Sequence, residues 1–438
     1  MPYDEDPKAK PKAEPKGGPD EEKNDEKKVE HYAFLRETIK TKEVSREKFR
    51  SQLARLVLYG LLFGIFASLG FFALKPWVQR WFQEDPQTVT IPIDEELESD
   101  DTAEENPAES GPPVLTAESY QDIMNSMLDI ATQASRGVAL IKGVDDQKDW
   151  TENEKDAVAG VSGLIVGDNG QELLLLADNS VCADYQSWTV TFSDQSQYRA
   201  RLKKQDKNRG LAIFGVLRSD ISSKTWEAIE LVTLGNSNVI MKGEIVIAIG
   251  NILGTGDGIA YGILSSNQSK ASLPDGKYSV LATDISVSPK GTGGLFNQKG
   301  EVIGLIVPGT WQEESSNTAN ALAISDLKSV IGLLVNGESV PYLGIYGATV
   351  TDEVVEAQGL PRGVYVTQVK TDSPAMKAGI QNGDIIVQVN NREVMNTQIF
   401  ERAVLTAKVG EEIILKGKRL GANGYVDIEF TVLVESQE

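Results

Sequence analysis

A chain of 438 residues with 64 acidic against 43 basic side chains, a formal net charge of −21, repels a phosphate backbone and so excludes nucleic acid as its partner. Its apolar share of 40% can supply two or three packed cores. One cysteine excludes an internal disulfide, and one cysteine with one histidine leaves no zinc ligand set; no other metal-ligand spacing and no cofactor motif is present.

Residues 1–30 are dominated by Lys, Glu, Asp, Pro and Gly, a composition that buries too little apolar area to offset chain entropy, and they read as a disordered tail. From His31 to Arg55 charges continue around Phe34, Leu35, Ile39, Val44 and Phe49, which permits a solvated juxtamembrane helix. The run Leu56–Leu74 then holds 19 residues without a charge, nearly enough as a helix to cross a bilayer core of about 30 Å. Arg36, Lys40, Lys42, Arg46, Lys48, Arg50 and Arg55 crowd its upstream side, against Lys75 and Arg80 downstream, so the tail 1–55 is set in the cytoplasm. Tyr59, Trp77 and Trp81 suit the two interfaces. The position of the run and the Lys-Pro-Trp that follows it fit an uncleaved signal anchor in the cell membrane, residues 56–74 contacting lipid.

Residues 75–117 form a linker. Between Gln83 and Pro113 it carries eleven acidic residues, no Lys or Arg, and prolines at 86, 92, 107, 112 and 113, the pattern of an extended, self-repelling spacer. A helix is expected over Tyr120–Thr132. Short runs rich in Val, Ile and Leu follow: Gly137–Ile141, Gly163–Val166, Glu172–Leu176, Trp188–Phe192, Leu211–Phe214, Glu244–Ile249 and Glu301–Val307. Their spacing, with Gly and Asp/Asn turns between, predicts a barrel or sandwich rather than alternating βαβ units. Cys182 reads as a small buried thiol, and Gly254–Gly258 as a barrel loop without a phosphate-loop ending. After Val340 a second compact pattern of about 95 residues begins, with a helix signal at Ser373-Pro-Ala-Met and an amphipathic run over Thr397–Ala407.

Several blocks carry a resemblance. Gly163-Leu-Ile-Val-Gly-Asp-Asn-Gly, Leu234-Gly-Asn-Ser-Asn and Gly243-Glu-Ile-Val-Ile-Ala-Ile-Gly-Asn-Ile-Leu-Gly, in this order, are similar to segments of the HtrA family of trypsin-like serine proteases. Gly363-Val-Tyr-Val366, Ser373-Pro-Ala-Met-Lys-Ala-Gly379 and Asn382-Gly-Asp-Ile-Ile386 resemble its PDZ domain. The resemblance implies an all-β-dominated chain: a trypsin-like double β-barrel over 118–336 and an α+β PDZ domain over 340–436, preceded by one transmembrane helix and the tail. The orientation of the anchor sets both domains outside the cytoplasm, and the resemblance implies a homo-oligomer, commonly a trimer.

The same resemblance locates the chemistry. Thr283-Asp-Ile-Ser-Val-Ser-Pro-Lys-Gly-Thr-Gly-Gly294 aligns with Thr-Asp-Ala-Ala-Ile-Asn-Pro-Gly-Asn-Ser-Gly-Gly, which puts Thr292 at the nucleophilic serine and Lys290 at an oxyanion-hole glycine. Ala177-Asp-Asn-Ser-Val181 resembles Thr-Asn-Xaa-His-Val, so Asn179 or Ser180 stands at the histidine, and Gly210 stands at the aspartate. Neither amide nor hydroxyl accepts a proton near neutral pH, and His31 lies across the membrane from both domains. The reading is a pseudoprotease; the alternative is an endopeptidase of extracytoplasmic quality control with a non-standard Thr292 centre, Lys290 acting as its base. Tyr342, Leu343, Gly344 and Ile345 resemble the carboxylate-binding loop of the PDZ domain, which implies capture of peptide C-termini or unfolded chains. Phe400 and Val404, four apart on the expected helix, face either that groove or the core.

Overall fold

The computed structural model describes residues 57–59, 61, 63, 68, 86–94, 116–144, 160–183, 185–254, 256–308 and 317–438. The chain divides into two units, Met1–Glu84 and Asp85–Glu438. In the first, residues 57–59, 61, 63 and 68 of the apolar run are helical. Among the described residues no helix is long and apolar enough to cross a membrane, and the rest of the 56–74 span, the tail, the juxtamembrane segment and residues 95–115 lie outside them.

The second unit begins with an extended strap, residues 86–94, which the sequence assigns to the acidic linker. It is held against the folded part: Gln87 N–H donates to Asn169 O at 2.9 Å, and Asn336 pairs with both main-chain groups of Val89 at 2.9 Å. Val89 and Ile91 pack on the core, and Asp94 meets the buried Lys328 ammonium at 2.7 Å. The strap is thus anchored at both ends, and the spacer reading does not extend to it.

Helix α1 (Ala117–Ser135) covers the expected Tyr120–Thr132 and starts where Thr116 Oγ1 accepts from Ser119 N–H. Strands β1 (Val138–Val144), β2 (Gly160–Asp168), β3 (Glu172–Asp178), β4 (Ser187–Thr191), β5 (Gln197–Asp206) and β6 (Leu211–Leu217) close into an antiparallel barrel in the order β1-β2-β3-β6-β5-β4. After α2 (Ser223–Ala228), strands β7 (Ile245–Gly250), β8 (Gly258–Leu273), β9 (Gly276–Ser286), β10 (Gly293–Phe296), β11 (Val302–Ile306) and β12 (Thr318–Ala323) close a second.

The four leucines of β3 show why this strand lacks polar alternation. Side chains alternate in direction along a strand. Leu173 and Leu175 enter the first barrel's core with Ile141, Ile165 and Phe214, while Leu174 and Leu176 enter a second core shared with Ile247, Ile249 and Phe296 of the other barrel. Both faces are dry, so both must be apolar. Helix α3 (Ile324–Val335) seals that shared core with Leu327, Val330, Ile331 and Leu334.

The third sheet has the order β13-β14-β15-β17-β18, from β13 (Ile345–Thr349), β14 (Val364–Val369), β15 (Ile385–Val389), β17 (Glu412–Gly421) and β18 (Gly424–Leu433), with the short β16 (Arg392–Glu393) beside β15. Helices α4 (Asp352–Gln358), α5 (Pro374–Lys377) and α6 (Thr397–Leu405) complete it. Phe400 and Val404 of α6 are buried with Leu343, Ile345, Val366 and Ile386, which assigns them to the core. Among the described residues β13 lies at the sheet's edge, beside β14.

Candidate functional site

The segment leading into β10 carries Thr292. Its side chain is turned inward and the residue is 1% exposed. Thr292 Oγ1 accepts from the Ser162 main-chain N–H at 2.8 Å, the Ser162 hydroxyl donates to Thr292 O at 2.8 Å, and Asn251 N–H donates to the Ser162 hydroxyl at 2.6 Å. Thr292 N–H in turn donates to Asn251 O at 3.3 Å, and Ser288 N–H to Ile252 O at 2.8 Å. Thr292, Ser162 and Asn251 are therefore a buried seam joining the two barrels, made wholly of groups that do not titrate near neutral pH.

An attacking hydroxyl must reach a substrate carbonyl and must find a base for its proton. Thr292 is covered, and its hydrogen bonds go to Ser162 and Asn251. None reaches Asn179, Ser180 or Gly210 among the described residues. The N–H at position 292, which an oxyanion hole would use, is already bonded to Asn251 O. Lys290 is exposed two residues before the buried Thr292, and the hydrogen bonds of the Thr292 hydroxyl go to Ser162.

Asn179, Ser180 and Gly210 lie together at the end of β3. Asn179 opens a 3-10 turn, Asn179–Cys182, and its N–H donates to Gly210 O at 3.0 Å. Ser180 N–H donates to Asp178 Oδ1 at 2.8 Å. Gly210 has φ +74°, a backbone region in which an aspartate would be strained, though a Cβ there would meet nothing closer than 3.8 Å. The buried Asp178 has its carboxyl raised by burial, against the opposing bonds from Ser180.

The loop before β13 is built to hold an anion. Leu343 O accepts from Ala375 N–H at 3.0 Å and Gly344 O from Lys370 N–H at 2.9 Å, which turns the carbonyls away. Gly344 at φ +88° completes the turn, and three successive N–H groups converge on one point. A side chain at 344 would meet Ser373 Cβ at 2.3 Å and Tyr342 Oη at 2.8 Å, so only glycine fits. Tyr342 is buried, and burial pushes its hydroxyl pKa up.

A carboxylate does occupy that point, and it belongs to this chain. Asp275, in the two-residue turn between β8 and β9, accepts from Leu343 N–H at 2.7 Å, from Gly344 N–H at 3.0 and 3.1 Å, and from Ile345 N–H at 2.9 Å. Its own N–H donates to Ile345 O at 2.7 Å. The residue is 1% exposed. Burial raises its carboxyl pKa, opposed by the three N–H groups and by Arg209.

Comparison with known families agrees with this architecture. Residues 161–305 match the trypsin-like peptidase domain and residues 341–430 the PDZ domain. The chain carries an HtrA-family peptidase domain followed by a PDZ domain. It is 30% identical over 279 residues to "Probable periplasmic serine endoprotease DegP-like" of Pseudomonas putida (strain W619), covering 61% of this chain and 56% of the relative. The chain thus spans about half the length of that relative. Among solved structures it is similar in fold to the HtrA-type protease AlgW with a tripeptide, at TM-score 0.51 and 23% identity, over 71% of this chain and 97% of the other. The decapeptide complex of AlgW compares at TM-score 0.50 and 21% identity, over 71% and 99%.

Within the HtrA-type barrels, Cys182 is a half-buried thiol whose pKa is pushed up to about 12 by burial and by Asp178. It is no nucleophile in that state. Gly254, Gly256 and Asp257 lie between β7 and β8, where Gly256 N–H donates to Asn251 Oδ1 at 2.8 Å, and Gly258 opens β8. Nothing in the sequence marks Asp275, Ser162 or Asn251 as site residues. Pro274-Asp-Gly276 signals only a turn, and nothing local says that the turn docks 68 residues downstream.

Proposed function

We propose that this chain is a single-pass membrane protein whose HtrA-type domains form a pseudoprotease. In this reading it senses or scaffolds unfolded chains or exposed C-termini outside the membrane, as a homo-oligomer. The observation that carries it is Thr292: a residue 1% exposed, its hydroxyl accepting from Ser162 N–H, in a chain whose one histidine is His31. With Lys290 exposed, the Thr292 hydroxyl faces no base among the described residues; it donates to the Ser162 hydroxyl at 3.4 Å, a group that cannot take up its proton near neutral pH.

The binding half of the proposal rests on the loop Tyr342–Ile345. Three converging N–H groups suit a terminal carboxylate, and the edge strand β13 suits an added peptide strand, with main-chain bonds giving affinity. The apolar run 56–74 and the basic flank before it support the membrane anchor.

The test uses the full chain in detergent with fluorescein-labelled casein as unfolded substrate and a pool of peptides with free C-termini. Binding without cleavage is expected, with capture lost in Gly344→Glu. Time-dependent cleavage that disappears in Thr292→Ala would overturn the proposal in favour of the endopeptidase reading.

A further inference from the structure

The carboxylate loop has a resident ligand. We propose that Asp275 is an internal surrogate for a peptide C-terminus, so that the PDZ groove is closed in cis by the β8–β9 turn and opens only when a terminal carboxylate displaces it. The inference rests on the reading that this loop captures C-terminal carboxylates, and it adds how that capture is regulated.

The geometry supports displacement rather than side-by-side binding. Asp275 uses the N–H groups of Leu343, Gly344 and Ile345, and its own N–H takes Ile345 O, the first carbonyl on the edge of β13. A terminal residue adding as a strand needs that same set: carboxylate into the loop, N–H onto the first edge carbonyl. Three N–H groups cannot hold two buried carboxylates, and two anions at that point would repel.

The turn is shaped for the task. Leu273 pairs with Gly276, leaving Pro274 and Asp275 as the two turn residues. Proline presets the first, and Asp275 sits at φ +64°, which aspartate tolerates better than most residues. Asn208 Nδ2–H donates to Pro274 O at 3.0 Å and fixes the turn from the first barrel.

A second contact holds the groove's other wall. Tyr278 of β9 hydrogen-bonds Glu401 of α6 and is itself bonded by Arg209, whose guanidinium pairs with Asp206 at 2.7 Å. The hairpin therefore touches both sides of the groove, the loop through Asp275 and the helix through Tyr278. Release of Asp275 by a peptide would free the first of these two attachments and leave the second in place. A ligand whose competent state is only fractionally populated binds with an affinity lowered by that fraction.

The experiment compares the full chain with Asp275→Asn and Asp275→Ala by two readouts. The first is binding of a fluorescein-labelled peptide pool with free C-termini, and of the same pool amidated. The second is hydrogen exchange at the amides of residues 343–345 without peptide, with exchange in β2, β3 and β9 as the check on folding. Both variants should raise affinity for the free acids about tenfold or more, leave the amidated pool unbound, and speed exchange at 343–345. Unchanged affinity together with unchanged exchange would overturn the proposal. Faster exchange at 343–345 with no peptide bound by any form would uphold Asp275 as the internal ligand and sink instead the reading of C-terminal capture. Equal binding by wild type and variants with faster exchange would show that Asp275 fills the loop without closing it, and would overturn the closure.

Discussion

Thr292 Oγ1 accepts a hydrogen bond from the main-chain N–H of Ser162 at 2.8 Å, and the Ser162 hydroxyl returns one to the Thr292 carbonyl at the same distance. The position that the HtrA resemblance sets for attack on a substrate is thus a structural tie between two barrels. Thr292→Val keeps the shape and removes the acceptor, leaving a buried N–H unpaired. The expected loss of stability is about 1–3 kcal/mol by chemical denaturation. Thr292→Ser keeps the bond and should cost no more than about 1 kcal/mol. Equal losses would mean that packing, not the hydrogen bond, is what matters there.

Glu401 makes stability depend on pH. Its carboxyl is raised from 4.5 to about 7, chiefly by burial, with Arg209 and Tyr278 opposing and Asp326 and Asp275 adding to the rise. A carboxyl whose folded pKa is raised contributes stability that is full below its unfolded value and is lost as pH rises through the folded one. Stability should therefore fall between pH about 4.5 and about 8, by on the order of 3 kcal/mol. Asp275, also raised by burial, acts in the same direction. Glu401→Gln should flatten this part of the profile; an unaltered slope would assign it to other groups.

Asp94 secures the strap. Lys328 is 2% exposed and its ammonium lies 2.7 Å from Asp94 Oδ1. Asp94→Ala leaves that buried charge unpaired and should cost about 3–5 kcal/mol. Adding Lys328→Met should recover most of the loss, because an apolar chain of similar volume removes the stranded ammonium. Thermal melts of the three proteins check this; a fully additive double variant would contradict the pairing.

Cys182 should be inert while the chain is folded. With its thiol pKa pushed up to about 12, the thiolate fraction at pH 8 is smaller than that of a free cysteine by about a thousandfold. Disulfide reagents should label it at that reduced rate in buffer and promptly in denaturant. Fast labelling of the native protein would contradict the burial of this thiol.

The strands legible in the sequence are those with an apolar signature on one face or both. Leu173–Leu176 is unmistakable because both of its faces are dry, and α1 and α6 follow from apolar residues at helical spacing. β5 and the distal half of β8 were not, since Gln197–Asp206 and Ser265–Lys270 are mainly polar and partly exposed. They are strands because β4 and β6 on either side of β5, and β9 beside the distal half of β8, supply their hydrogen-bond partners. The strap 86–94 carried a signal, Val89, Ile91 and Ile93 at alternate positions, masked by the acidic tract that follows. The loop Tyr342–Ile345 stands out in the sequence only through its resemblance to the HtrA-type PDZ loop; the convergence of its N–H groups is a property of the folded backbone. Its occupant was not legible, because Asp275 and Gly344 meet only through the docking of separately folded cores.

The most direct measurement is intact-mass spectrometry of the full chain after prolonged exposure to a biotinylated fluorophosphonate, with Thr292→Ala alongside and trypsin as the positive control. The account predicts no adduct on wild type under conditions that label trypsin to completion. A stoichiometric adduct mapped to Thr292 and absent from Thr292→Ala would contradict it, since it would require an exposed, activated hydroxyl at that position.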